Sequence, residues 1–239
     1  MAILLQLRAV SKHYGALKAV DSVSFTVDGG EALAVIGPNG AGKTTLINVI
    51  SGRQPPSAGR VFLSGRDVTG QPAHAMSRLG VVRSFQQTNT FRGVSVRENI
   101  SRAVRFGSGA QANGLDSLMG EFGLTERLDE QSDKLPYGLQ KMLGLVMAFA
   151  TGPKVLMLDE PAAGLERSER GHIDRYVAHV RAAGASVLIV EHDMDLIRRL
   201  CPRILVLDAG VVLADGPPAE VLARPDVIAA YLGEAEEAH

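Results

Sequence analysis

The stretch Gly37-Pro38-Asn39-Gly40-Ala41-Gly42-Lys43-Thr44-Thr45 constrains this chain more than any other. It fits G-x-x-x-x-G-K-[ST], and its flanks decide what that pattern means. Ala32 to Ile36, just before it, is a short apolar run that reads as a buried parallel strand. Thr45 to Ile50, just after it, reads as a helix ending at Gly52. Strand, glycine loop, helix is the context in which this motif cradles phosphate. The glycines let backbone N–H groups turn inward around phosphate oxygens, and the helix N-terminus adds its positive dipole. Lys43 then bridges the β- and γ-phosphates, and Thr44 offers its hydroxyl to Mg²⁺. An ordinary glycine-rich turn needs neither flank. The chain is expected to bind a nucleoside triphosphate through residues 37–45.

A length of 239 residues accommodates one large α/β domain, or a domain with an added lobe. The net charge of −1 supplies no electrostatic attraction for nucleic acid, so none is expected as a partner. No basic flank precedes a signal-type apolar core, and no apolar run approaches the ~20 residues that span a bilayer. The richest region, Met142 to Leu158, is broken by Gly152, Pro153 and Lys154. The single cysteine, Cys201, excludes an intrachain disulfide and suits a reducing compartment. A cytoplasmic location is the resulting expectation, with any membrane role exercised through a partner.

Along the chain, Ile3 to Val10, Ser24 to Val27, Ala32 to Ile36 and Val61 to Leu63 read as strands. Turn clusters Asp28-Gly29-Gly30 and Gly65-Arg66-Asp67 separate them. After a further strand, Val81 to Phe85, the pattern turns helical from about Ser95 to Ala150. Leu139, Met142, Leu143 and Val146 there fall at i, i+3, i+4 and i+7. An all-α insertion, residues 86–150, is therefore expected within an α/β core made of residues 1–85 and 151–239. The second part of that core alternates: strand Val155–Leu158, helix Ser168–Ala183, strand Ser186–Val190, helix Asp193–Leu200, strand Ile204–Leu207. Apolar strands without alternation predict a parallel sheet covered on both faces. An acidic tail, Glu234-Ala235-Glu236-Glu237, closes the chain.

A phosphate cradle needs a metal partner and a base. Val155 to Leu158 runs straight into Asp159-Glu160. A buried strand delivering a carboxylate at its C-terminal end places Asp159 to hold Mg²⁺, directly or through water. Glu160, one residue on, points differently and is the candidate general base for an attacking water. His192 follows the strand Ser186–Val190, on the ligand side of such a sheet, where it can contact the γ-phosphate. Gln86 ends the strand entering the helical insertion, and its amide is a further candidate for Mg²⁺ and for reporting site occupancy to the helices.

Taken in order, these pieces resemble the ATP-binding subunits of ABC transporters over essentially the whole chain. The resemblance rests on Tyr14 ahead of the phosphate loop, the loop itself, Gln86, the segment Leu135-Pro136-Tyr137-Gly138-Leu139-Gln140, Asp159-Glu160, Pro161-Ala162-Ala163-Gly164-Leu165-Glu166, and His192. A GTPase would need Asn-Lys-x-Asp, which the chain lacks. The resemblance implies an ABC ATPase fold: a P-loop core with a mostly parallel sheet, an N-terminal antiparallel β subdomain and an inserted helical subdomain. It implies ATP and Mg²⁺ as ligands, with the Tyr14 ring stacked on adenine and Gln86 and His192 in the catalytic site. It also implies a dimer, homo- or heteromeric, in which residues 135–140 of one subunit grip the ATP held by the other. Membrane permease subunits, one of which places a helix in the groove beside Gln86, and an extracytoplasmic binding protein are the further implied partners. The subunit itself would lie peripherally on the inner face of the membrane.

The signature segment departs from the family's usual Leu-Ser-Gly-Gly-Gln. Pro136 replaces the serine, Tyr137 the first glycine and Leu139 the glutamine, while Gly138 is retained. Loss of the serine removes a charge-assisted hydrogen bond worth on the order of 1.5–3 kcal/mol. Met142 and Met147 occupy positions often arginine in relatives. Arg83-Ser84-Phe85-Gln86, the Leu-Pro-Tyr-Gly start of the signature and the ending Val227 to Glu234 look most like importer subunits for branched-chain amino acids. The closing Tyr-Leu-Gly-Glu is shared with relatives that import urea or short amides. A soluble ABC ATPase of repair or translation would carry long coiled-coil insertions or two fused units, which this chain lacks.

Overall fold

A computed structural model describes residues 2–84, 90–107, 113–166 and 169–237. Strands β1 (Ile3–Tyr14) and β2 (Leu17–Asp28) open the chain as an antiparallel hairpin. Next, β3 (Ala32–Ile36) leads through the glycine loop into α1 (Lys43–Ile50), followed by β4 (Ala58–Leu63), β5 (Arg66–Asp67) and α2 (Ala73–Arg78). Strand β6 (Val81–Ser84) precedes helices α3 (Val96–Phe106), α4 (Leu115–Glu121) and α5 (Tyr137–Ala150). Then come β7 (Val155–Asp159), α6 (Gly171–Ala182), β8 (Ser186–Val190), α7 (Met194–Leu200) and β9 (Arg203–Asp208). Strand β10 (Val211–Gly216), α8 (Pro218–Val221) and α9 (Pro225–Glu237) end the described chain.

The strands form two sheets. One is four-stranded and antiparallel, in the order β2-β1-β4-β5. The other is six-stranded, in the order β10-β9-β3-β8-β7-β6, and parallel except for the edge strand β10. Alternation along the parallel strands shows why their sequences read as unbroken apolar runs. Ala32, Ala34 and Ile36 of β3 pack with α5, α6 and α7, whereas Leu33 and Val35 pack with α1 and the antiparallel sheet. Strands β7, β8 and β9 divide the same way, with Leu158, Ile189 and Val206 on the first face and Met157, Leu188 and Leu205 on the second. Side chains of a strand alternate between faces, so a strand covered on both must be apolar throughout.

The helices between β6 and β7 are shaped by identifiable local signals. Ser95 caps α3, its Oγ accepting from the Glu98 N–H at 3.2 Å. The helical stretch is not continuous, since single 3₁₀ turns at Thr125–Arg127 and Ser132–Lys134 separate α4 from α5. Tyr176 of α6 is fully buried and donates to Leu145 O of α5 at 2.7 Å, tying this bundle to the core.

Strands Ala32–Ile36 and Ser186–Val190 match the pattern expected from sequence. Asp193 is the cap of α7 rather than its first residue, accepting from the N–H groups of Asp195 and Leu196. The segment Gly65-Arg66-Asp67, expected as a turn, turns only at Ser64-Gly65, and Arg66 and Asp67 pair back onto Leu63 and Phe62. Strand β10 and helices α2, α8 and α9 are additional to the sequence reading. Phe85 and Ser168, expected inside a strand and a helix, lie outside the described residues.

Cys201 is 1% exposed, and burial pushes its thiol up to about 12. The neutral thiol therefore prevails throughout the physiological pH range. Labelling of the folded chain by a maleimide at neutral pH should be roughly 10³-fold slower than labelling of the denatured chain. Equal rates would show that the thiol is exposed.

Candidate functional site

The strands carry the site by their ends. In the parallel sheet Val35 of β3 is in register with Val190 of β8, and Val190 with Asp159 of β7. Ser84 of β6 is in register with Leu158. The glycine loop, Asp159-Glu160 and Glu191-His192 therefore leave the sheet at one edge, beyond the carboxyl ends of the strands, where ligands of open α/β sheets bind.

Two glycines of the loop are fixed by close approach. A Cβ on Gly37, at φ +150°, would lie 2.1 Å from Leu207 O, and one on Gly42, at φ +98°, 2.2 Å from Ala19 O. The backbone thus folds tightly between β9 and β2 before α1 begins. Gly42 is the cap residue of α1, with no side-chain cap on its N-terminus. Lys43 is buried, its Nζ donating to Gly37 O at 2.6 Å and Pro38 O at 2.8 Å. A cation is in this way held inside the curl of the loop. Thr44 and Thr45 occupy the first turn of α1.

Asp159 Oδ2 accepts from Arg83 Nη2 of β6 at 2.5 Å, and Arg83 Nη1 donates to Asn48 Oδ1 of α1 at 2.6 Å. Arg83 thereby links the helix behind the phosphate loop to the candidate metal carboxylate. Glu160 has φ +46°, a left-handed backbone unusual for a residue with a side chain. Its N–H donates to Val190 O at 2.8 Å, and its carbonyl accepts from Ala163 N–H at 3.1 Å. His192 is half-exposed, with Nε2 3.4 Å from Glu160 Oε1. The two residues singled out for water activation and γ-phosphate contact are neighbours in space although 32 positions apart in the chain.

The donor set fits Mg²⁺: the Thr44 hydroxyl and the Asp159 carboxylate are hard oxygen ligands of the kind that would hold such an ion. Among the described residues no group of three or more His, Cys, Asp and Glu is placed to hold a metal.

The signature segment begins α5. Leu135 is buried, Pro136 is the cap residue and Tyr137 the first helical residue. Gln140 is engaged locally, its Nε2 donating to Leu135 O at 2.8 Å. Tyr137 is half-exposed, and a Cβ on Gly164 would meet its hydroxyl at 3.1 Å. The tyrosine that replaces a family glycine thus packs against the 161–166 loop. Gly138 faces Glu169, whose Oε1 would lie 2.1 Å from an added Cβ. Leu139 packs partly buried against the core.

Tyr14 ends β1, exposed, with its hydroxyl bonded to Gln54 Oε1 and Lys12 Nζ 5.4 Å from its ring centre. It sits on the antiparallel sheet, paired with Leu17 across the β1–β2 hairpin. Gln86 lies outside the described residues. A cavity of about 660 Å³ opens beside Arg83, Lys141 and Pro161, with Phe91, Phe106 and Met147 among its apolar walls.

Arg83, Lys141 and Glu191 take part in this constellation without having been assigned a role from sequence. The available signal was a charge inside or directly after an apolar run: Val81-Val82-Arg83, Leu139-Gln140-Lys141-Met142 and Ile189-Val190-Glu191. Buried charges of this kind must find partners. Those partners lie far along the chain and could not be read from local spacing.

The ABC transporter family model matches residues 20–163, and the model of the branched-chain amino acid ATP-binding cassette transporter matches residues 211–237. The chain is 39% identical to the high-affinity branched-chain amino acid transport ATP-binding protein LivG of Salmonella typhimurium, across 97% of this chain and 98% of that one. It is 35% identical, over the same shares, to the corresponding protein BraF of Pseudomonas aeruginosa. Among solved structures, MJ1267, an ATP-binding cassette of an ABC transporter in its ADP conformation, superposes with a TM-score of 0.85 at 28% identity, covering 98% of this chain and 100% of that one. Phosphate loop, fold and whole-length similarity agree: this chain belongs to the ABC transporter family, as an ATP-binding cassette ATPase.

Proposed function

We propose that the chain is the ATP-hydrolysing subunit of an importer for branched-chain amino acids. The observation that carries the catalytic part is the meeting of Lys43, Asp159, Glu160 and His192 at one edge of the sheet. The substrate reading is supported by whole-length similarity to LivG and BraF and by the family match at residues 211–237.

In this reading residues 37–45 hold the triphosphate and Tyr14 stacks on adenine. Lys43 exchanges its carbonyl partners for the β- and γ-phosphates. Thr44 and Asp159, with Gln86, hold Mg²⁺, which supplies charge neutralisation on the phosphates. Glu160 accepts a proton from the attacking water, and His192 fixes the orientation of Glu160 while contacting the γ-phosphate. The 135–140 segment of a second subunit completes each site through the Gly138 N–H and the α5 dipole. ATP would favour the closed dimer to the extent that it binds that form more tightly than the open one. The cavity between β6, α3 and α5 is the place for a permease helix. Among the described residues no helix is long and apolar enough to cross a membrane. Membrane subunits supply the path in this reading and hold the chain at the inner face, as its similarity to transport ATP-binding proteins supports. Because Pro136 withholds a hydroxyl, a heteromeric partner with its own signature is the arrangement that best serves this chain's phosphate loop.

Replacing Glu160 by Gln should lower turnover about 10²- to 10⁴-fold while ATP binding persists. Hydrolysis at the parental rate would remove Glu160 from the role of base. Lys43→Ala should weaken ATP binding at least tenfold by calorimetry, an effect of about 1.4 kcal/mol or more. Unchanged affinity would mean that the loop does not grip phosphate. Deletion of the gene should abolish ATP-dependent uptake of labelled leucine in the source cell. Intact leucine uptake with loss of urea or amide uptake would transfer the substrate to that class.

A further inference from the structure

Two charges with no part in that scheme are buried beside it. Lys141 of α5 and Glu191, directly after β8, are each 5% exposed. A buried charge persists only with compensating partners, and both find theirs on the same short loop. Glu191 Oε1 accepts from the Ala162 N–H at 2.9 Å, while Oε2 accepts from the His192 N–H at 2.9 Å. Lys141 Nζ donates to Ala163 O. Burial draws the Lys141 ammonium below the usual lysine range, and the negative charges of Glu191 and Glu160 draw it back upward.

The peptide groups so held lead directly to Glu160. Ala163 carries the Lys141 contact on its carbonyl, and its N–H donates to Glu160 O at 3.1 Å. Glu160 N–H is tied from the other side to Val190 O at 2.8 Å. A left-handed backbone on a glutamate is costly and survives only where its surroundings over-determine it. Here the surroundings are the loop beyond Glu160 and the strand end that precedes Glu191. Tyr137 lies one helical turn before Lys141 on the same helix face, and it packs on Gly164 of the same loop.

We propose that Lys141 and Glu191 are positioning residues that clamp the 161–165 loop between α5 and the β8–α7 connection, holding Glu160 in its strained backbone and His192 beside it. The inference rests on the reading of Glu160 and His192 as the hydrolytic pair. Its consequence is directional: a shift of α5, the helix whose start grips the partner's nucleotide, passes through Lys141 and Ala163 to the backbone of Glu160. The signature helix then adjusts the base without touching the water or the phosphate bound in its own subunit.

The test uses the full chain with Lys141→Met, Lys141→Arg, Glu191→Gln and the double variant Lys141→Met/Glu191→Gln. Lys141→Met should lower kcat about 10- to 100-fold, the scale expected for a misplaced catalytic group, with ATP affinity held within about twofold. Lys141→Arg, which still donates to Ala163 O, should recover most of the loss. The double variant should be no slower than the slower single variant, because both residues act on one loop. Amide exchange at residues 160–165 and 191–193 should rise about tenfold in Lys141→Met, with α1 unchanged. If Lys141→Met fails to fold, Lys141→Gln carries the same measurements. Unaltered exchange in those segments, losses that multiply in the double variant, or ATP affinity falling in step with kcat would each overturn the clamp. Full turnover in Glu160→Gln would instead overturn the hydrolytic reading, and the exchange measurement would still decide the clamp.

Discussion

A sheet buried on both faces leaves only its strand ends for chemistry. Leu33 and Leu188 face one core while Ala34 and Ile189 face the other, so no polar side chain fits within these strands without a partner. The register among β3, β7 and β8 brings their ends level, and the glycine loop, Asp159-Glu160 and Glu191-His192 emerge there. The glycine loop, the two carboxylates and the histidine thus converge at the carboxyl ends of paired parallel strands. The antiparallel sheet and α1 cover one face and the helices the other. The depth of that cover is what allows a lysine to be held inside a loop of backbone carbonyls.

Much of this was legible because the physics is local. The phosphate loop has a spacing set by backbone geometry, and β3 and β8 announce themselves as short apolar runs of β-branched and aliphatic residues. The Asp159-Glu160 pair could be read from its position after such a run. Other parts were hidden because their cause is not local. Strand β10 exists by pairing antiparallel with β9 after a turn at Gly210. Arg66 and Asp67 extend a strand because Leu63 and Phe62 offer an edge. The ion pair of Arg83 with Asp159 spans 76 positions, and the bond from Lys141 to Ala163 spans 22. No periodicity marks such separations; only the charge itself, out of place among aliphatic residues, hinted that a partner existed.

The unorthodox signature gains a physical account from the same packing. Proline serves as the cap residue of α5, a position that requires no N–H donor. Tyr137 uses its bulk against Gly164, where a glycine would leave the loop unsupported. Met142 and Met147 are buried within the helical core, where an arginine would need a counter-charge. The segment has packing contacts where the usual signature has polar ones, and its helix touches the loop beyond Glu160 through Tyr137 and Lys141.

The left-handed backbone at Glu160 carries an evolutionary consequence. A non-glycine residue in that conformation gives up roughly 1–2 kcal/mol, which glycine would largely recover. Selection for stability alone would therefore drive position 160 toward the one residue that has no side chain to offer. A glutamate in that position places a carboxylate at the strand end at the expense of backbone stability, so the thermal optimum of the fold and its working optimum part company there.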